Sequence, residues 1–197
     1  MKEFAKSSYY EGMTIGEIWG YKIDGLFQTD EEAAAYSKAV DNSYVCKNIF
    51  VTAVGDYKGL QAGDPRFVDI DGSNRIDDGE KTANNRGDMR IIGNSRPRYN
   101  YSGSINLGWN GFDISAFFQG VGRQHRYPDG NAMLFWGGYA RPYSSFVPEH
   151  FLDDVWSEDN PDAYFPKLRG YAAQGDRHLA KVNDRYLQNT AYCRLKN

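Results

Sequence analysis

Cysteine and histidine are scarce in this 197-residue chain, with two and three copies. Cys46 and Cys193 lie too far apart in sequence for a C-x-x-C redox or zinc pattern, and they are expected to stay unpaired thiols. His125, His150 and His178 lack metal-ligand spacing. There is no G-x-S-x-G elbow and no Gly-rich phosphate loop behind a strand. The neighbouring carboxylates Asp77-Asp78 and Asp153-Asp154 read as solvated surface rather than as an acid–base pair. An enzyme is therefore not expected.

Long apolar runs are missing too. No stretch reaches the roughly 18 apolar residues that a spanning helix needs, and the opening MKEFAKSSYYEG has no apolar signal-peptide core. Either the chain is not exported or its start is missing. A net charge of -3 and a pI near 5.6, with scattered basic residues, give no sign of a nucleic-acid surface.

Aromatic residues, by contrast, are plentiful: 15 Tyr, 11 Phe and 4 Trp. They coexist with a mean hydropathy of -0.68, the mixture expected of a barrel whose polar loops outweigh its strands. The sharpest pattern is PRYNYSGSINLGWNGFDISAFFQG, from Pro97 to Gly120. Tyr99, Tyr101, Ile105, Leu107 and Trp109 share one parity, and Arg98, Asn100, Ser102, Ser104 and Asn106 the other. Beyond Asn110-Gly111, Phe112, Ile114, Ala116 and Phe118 alternate with Asp113, Ser115 and Gln119; Phe117 is the exception. Asn-Gly suits a two-residue type I′ turn, whose central residues both need positive φ, so Trp109 should face Phe112. Each arm has about the ten residues that a tilted strand needs to cross a bilayer, and aromatics at the turn suit an interfacial girdle.

Four strands are expected, near residues 17–27, 97–109, 112–121 and 190–197. In the first, Trp19, Tyr21, Ile23 and Phe27 share a parity. Thr29 is placed to cap a short helix near 30–40, with Glu32 completing a capping box. Residues 28–96 and 123–189 read as long loops, with at most a helical turn or two at Glu149–Trp156. Such loops are foreign to a compact domain and normal on the outer side of a barrel. The last residues, from Ala191, begin an alternation that reads as a strand cut short. Four strands cannot close a barrel, so the piece should not insert stably alone. The aromatics Phe135, Trp136, Tyr139 and Tyr143 suit stacking on sugar rings, or packing of the second loop against itself.

One segment carries metal chemistry. Asp69 to Glu80 (DIDGSNRIDDGE) follows the twelve-residue calcium loop, with ligands expected from Asp69, Asp71, Ser73, Arg75, Asp77 and Glu80. Arg75 would offer its carbonyl, Glu80 both carboxylate oxygens, and Ile76 an apolar anchor. Ser73 is a poorer, neutral ligand, and Asn74 replaces the usual glycine, although Asn tolerates the left-handed conformation needed there. The competing reading is an acidic, solvated turn.

The motifs GEIWGYKIDGLFQTDEE, GDPRFVDIDGSNRIDDGE, IIGNSRPRYNYSGSINLGWNGFDISAFFQGVG, VWSEDNPDAYFPKL and AYCRLKN follow one another along nearly the whole chain. In that order the chain resembles the SusC/RagA-like family of TonB-dependent outer-membrane transporters. The resemblance implies an all-β fold: the C-terminal part of a transmembrane antiparallel barrel of about 22 strands with long extracellular loops. The plug domain, the TonB-contacting segment and the closing strands would be absent. It further implies uptake of large nutrients, typically oligosaccharides and sometimes peptides, with a SusD-like surface lipoprotein as partner and energy delivered through TonB. Trp109 and Phe112 would then lie near the periplasmic interface, the polar parity would face the lumen, and Asp69–Glu80 would sit in an extracellular loop. The calcium-loop match falls where the family carries an Asp-x-Asn-Gly-Asp-Gly-like run, and departs from it at Ser73 and Asn74. The alternative of another class is a soluble, secreted β-rich binding module with a structural calcium loop.

Overall fold

The first expected strand is interrupted. In a computed structural model, which describes residues 9–47, 49–50, 55, 58–128, 132–139, 149–169 and 181–196, it divides into β1 (Glu17–Gly20) and β2 (Ile23–Leu26). The cause is a distant partner: Tyr21 donates its N–H to the Val182 carbonyl at 2.8 Å and accepts that of Asp184 at 3.1 Å. The backbone leaves the sheet for that exchange.

Thr29 caps α1 (Asp30–Ala39) as the sequence predicts, its hydroxyl accepting the Glu32 N–H at 3.1 Å. Glu32 reaches back one residue further than a capping box requires, to the Gln28 N–H at 2.8 Å. Arg66 of β3 (Pro65–Phe67) joins both Asp24 and Glu32, fastening the helix start to the strands beneath it. Residues 28–96, expected as a loop apart from the helix near 30–40, also hold β3 and β4 (Arg90–Asn94), and their Cys46, Ile49, Phe67 and Ile76 form a core with Phe27. Full burial of each large side chain there is worth about 1.5–3 kcal/mol. β4 pairs antiparallel with β1 and β3 with β2.

The predicted hairpin forms with its predicted register. β5 (Tyr99–Trp109) and β6 (Phe112–Gly122) pair residue for residue from Tyr99↔Gly122 to Trp109↔Phe112. Asn110 and Gly111 take φ of 48° and 82°, the positive values that a type I′ turn requires. β7 (His125–Arg126) pairs with β8 (Gln188–Asn189), and β9 (Tyr192–Leu195) adds to β6 as a third long-sheet strand.

Between them, α2 (Met133–Trp136) and two 3₁₀ turns, Gly137–Tyr139 and Glu149–Asp154, surround a second core. There Trp136, Tyr139, Phe151, Val155, Phe165 and Tyr186 are buried together, with the rings of Phe165 and Tyr186 stacked at 5.8 Å. The aromatics offered for sugar stacking are thus mostly consumed by packing: Trp136 and Tyr139 are buried, and Phe135 lies edge-on to Trp136 at 4.8 Å. Tyr143 and His178 fall outside the described residues, as does the side chain of His150.

Strands are the main regular element, and among the described residues they form four separate sheets without closing into a barrel. No described helix is long and apolar enough to cross a membrane. Cys46, buried, and Cys193, exposed, are both free thiols.

Candidate functional site

The acidic loop hangs from the end of α1. The Asp41 N–H donates to the Asn74 carbonyl and the Ile76 N–H to the Asp41 carbonyl, both at 2.9 Å, so helix end and loop are laced together. Ile76 is fully buried in the first core, the anchor expected of it. Asn74 adopts the left-handed conformation, with φ 59°.

Asp69 receives the N–H groups of Gly72 and Asn74, both at 2.8 Å, and Asp71 that of Ser73 at 2.9 Å. The Ser73 hydroxyl donates to the Arg75 carbonyl at 2.9 Å, so those two expected ligands partly satisfy each other. Asp77 accepts the Gly79 N–H at 2.7 Å and lies 3.5 Å from the Arg75 guanidinium, and Glu80 is exposed. Among the described residues, the carboxylates that converge are Asp69, Asp71 and Asp88, with their oxygens within 4.8 Å of one another. Asp77 and Glu80 are not in that group.

Asp88 lies outside the twelve-residue window and was not anticipated from sequence. It is completely buried and accepts three backbone donors: Ile70 at 2.6 Å, Asp71 at 3.4 Å and Asp77 at 3.0 Å. Its own N–H returns to the Asp77 carbonyl at 3.0 Å. Gly87 makes this crossing possible, since a Cβ there would stand 2.6 Å from both the Asp77 carbonyl and the Gly79 nitrogen, and its φ is +52°. A glycine directly before an aspartate was the one available signal. Burial pushes the Asp88 carboxyl above its ordinary pKa against the pull of those three N–H groups. Hydrogen bonds from Ser73 hold Asp71 below its own. Three carboxylates brought together in this way are able to hold a metal ion.

The second candidate surface is the β5–β6–β9 sheet. Residues directly opposite in an antiparallel pair share a face. One face therefore carries Tyr99, Tyr101, Ile105, Leu107, Trp109, Phe112, Ile114, Ala116, Phe118 and Leu195, and the other Asn100, Ser102, Ser104, Asn106, Asp113, Ser115, Gln119 and Arg194. Phe117, Val121 and Tyr192 interrupt the polar face. On that face the Ser115 hydroxyl donates to the Asn106 side chain at 2.7 Å.

The apolar face is not packed against protein: Trp109 is 77% exposed, Phe112 69% and Leu107 60%. Tyr99 and Tyr101 stand at one end and Trp109 and Phe112 at the other, with Phe118, Ile105, Ala116, Leu107 and Ile114 between. Tyr101 and Trp109 are eight strand positions apart, and Tyr99 and Trp109 ten. At about 3.4 Å per residue, that is about 27–34 Å along the strand. A tilt of roughly 40° projects it to about 21–26 Å, against ~25 Å for the apolar band between the girdles of an outer-membrane barrel.

No known family model matches this chain, and neither does any curated protein.

Proposed function

We propose that this chain forms part of the wall of a TonB-dependent outer-membrane transporter of the SusC/RagA-like kind. Such a transporter imports large nutrients, oligosaccharides foremost, beneath a SusD-like surface lipoprotein, with energy arriving through TonB. The observation that carries the reading is the solvent-exposed apolar face of β5–β6–β9, with aromatics at both ends and a polar face behind it. A face of this size left bare in water would be an aggregation hazard, and so would the edges of β5 and β9, which pair with no other described strand. In a barrel the same features are lipid contact, lumen lining and sites for neighbouring strands. In this reading the packed residues around α1 and α2 form the extracellular side, and the Asn110-Gly111 turn the periplasmic side. The converging carboxylates Asp69, Asp71 and Asp88 hold a calcium ion that staples an extracellular loop. Catalysis has no part in it.

The test is behaviour with and without detergent. The full chain should aggregate in water and become monodisperse in maltoside micelles. Brominated detergent should then quench Trp109, a signal lost in Trp109→Phe while Trp136 and Trp156 stay bright. A chain that is monomeric in water, with Trp109 untouched by brominated detergent, supports instead the soluble binding module with a structural calcium loop.

A further inference from the structure

Charge is distributed unevenly along the long sheet. Between residues 95 and 128 the only acidic side chain is Asp113, beside the Asn110-Gly111 turn, whereas Arg96, Arg98, Arg123 and Arg126 all lie at the opposite end. All four are exposed, and none makes an ion pair among the described residues. The Arg98 N–H donates to the carbonyls of Gly122 at 3.2 Å and Arg123 at 3.3 Å, so these two arginines leave the sheet side by side. Arg123 has a left-handed φ of 49°, which ends the alternation of β6 there.

A cleft of about 580 Å³ opens at this end, lined in part by Tyr99, Tyr101, Arg123, His125, Tyr192 and Cys193, with no carboxylate in its wall. Two glycines shape it. A Cβ at Gly122 would fall 2.1 Å from the Tyr99 ring, and one at Gly120 would fall 2.2 Å from that of Tyr101, so both rings lie flat across β6. The Tyr101 hydroxyl reaches the Tyr192 carbonyl at 3.1 Å. The His125 ring is held over Gly93 of β4 and accepts the Asn94 N–H at Nδ1, which leaves Nε2 as its donor.

We propose that this cleft binds the phosphorylated head group of a membrane lipid. The inference rests on the bilayer reading of the sheet and adds a site to it. A phosphate accepts hydrogen bonds from a guanidinium, an imidazole N–H and a phenolic hydroxyl, and Arg123, His125 and Tyr99 bring these donors to the cleft, the Tyr101 hydroxyl being engaged by the Tyr192 carbonyl. Tyr99, Tyr101, Gly122 and Cys193 belong to the apolar face, so acyl chains from a bound head group would run straight down over Ile105 and Leu107. That continuity between a cationic mouth and an apolar track selects a lipid over free phosphate. An arginine near an anionic surface contributes roughly a fivefold preference, and a side-chain cluster more.

The experiment is native mass spectrometry of the full chain released from maltoside micelles doped with phosphatidic acid, or with the diacylglycerol of the same acyl chains. The chain should retain phosphatidic acid at least roughly fivefold more than diacylglycerol. Arg123→Asn combined with His125→Gln should bring retention down to the diacylglycerol level, while R123K and the remote charge loss K38Q keep it. Equal retention by native chain and double variant would overturn the site, as would full displacement by millimolar inorganic phosphate, which marks a site for free phosphate. Far-ultraviolet circular dichroism of the same samples shows that the variants fold, and Trp109 quenching by brominated detergent is read beside it. Arg123-dependent retention without Trp109 quenching would sink the transporter reading and leave this site standing. Quenching with no effect of the variants would do the reverse.

Discussion

Phe27, Phe67 and Tyr186 expose 1% of their surface or less, while Leu107, Trp109 and Phe112 on the long sheet are more than half exposed. The residue types are alike and their surroundings opposite. In the body around α1 and α2, apolar side chains find one another and bury the surface that water disfavours. On β5 and β6 they are spread along one face of a single layer, with nothing among the described residues laid against its exposed apolar side chains. A two-layer protein solves this with a second sheet or a helix. A bilayer solves it without further protein, and there the alternation need serve only one side. The two regions therefore differ in what covers their apolar side chains: protein in the body and, in the proposed reading, lipid on the sheet.

The largest expected effect lies in the body. Asp64 and Arg169 form a fully buried ion pair at 2.7 Å, and Arg169 also holds the Gly59 carbonyl at 3.0 Å. Asp64→Ala would break this buried pair, at about 3–5 kcal/mol. The urea midpoint of the Trp19, Trp136 and Trp156 fluorescence, followed in a Trp109→Phe background, should fall accordingly, while Trp109 quenching in the otherwise native chain should not change. If both signals moved together, the body and the sheet would be one cooperative unit and the division would be wrong.

Leu107→Arg probes the other region. On a lipid-facing strand it should cost about 2–4 kcal/mol in a bilayer or micelle. In water the cost should be close to nothing, since Leu107 is already exposed. A penalty in both media would mean that protein, and not lipid, covers this face. The smallest effect concerns calcium. With a dissociation constant in the millimolar range of extracellular calcium modules, about 10 mM calcium adds roughly 1.4 kcal/mol to the body. That should appear as a rise in melting temperature of roughly 2–6 °C. Asp88→Asn should remove the rise, and magnesium should not reproduce it; an equal rise in the variant would place the ion elsewhere.

How far the sequence could be read followed from how local each interaction is. Parity and the Asn110-Gly111 turn suffice for the hairpin, because every partner on β5 is found a short loop away on β6. Thr29 capping Glu32 is equally local. The residues between α1 and β4 look irregular because Cys46 and Ile49, Phe67, and Ile76 meet from three stretches with no shared period. The break between β1 and β2 depends on Val182 and Asp184, whose approach nothing near Tyr21 announces. In the acidic loop, Asp69 and Asp71 were visible as carboxylates in a ligand pattern, but Asp88 reaches them by folding back through Gly87, which spacing alone does not show.

The two-residue turn also has a consequence in time. A hairpin closed by adjacent arms forms in about 1–10 μs, whereas the body waits on contacts such as Ile23 with Asp184 and Asp64 with Arg169, 161 and 105 residues apart. The greasy ribbon is thus complete early, while its edges are open and the body is still a loose chain. The risky interval for this molecule is its youth, and an escort that shields the ribbon until lipid or neighbouring strands receive it would matter more to its yield than any gain in final stability.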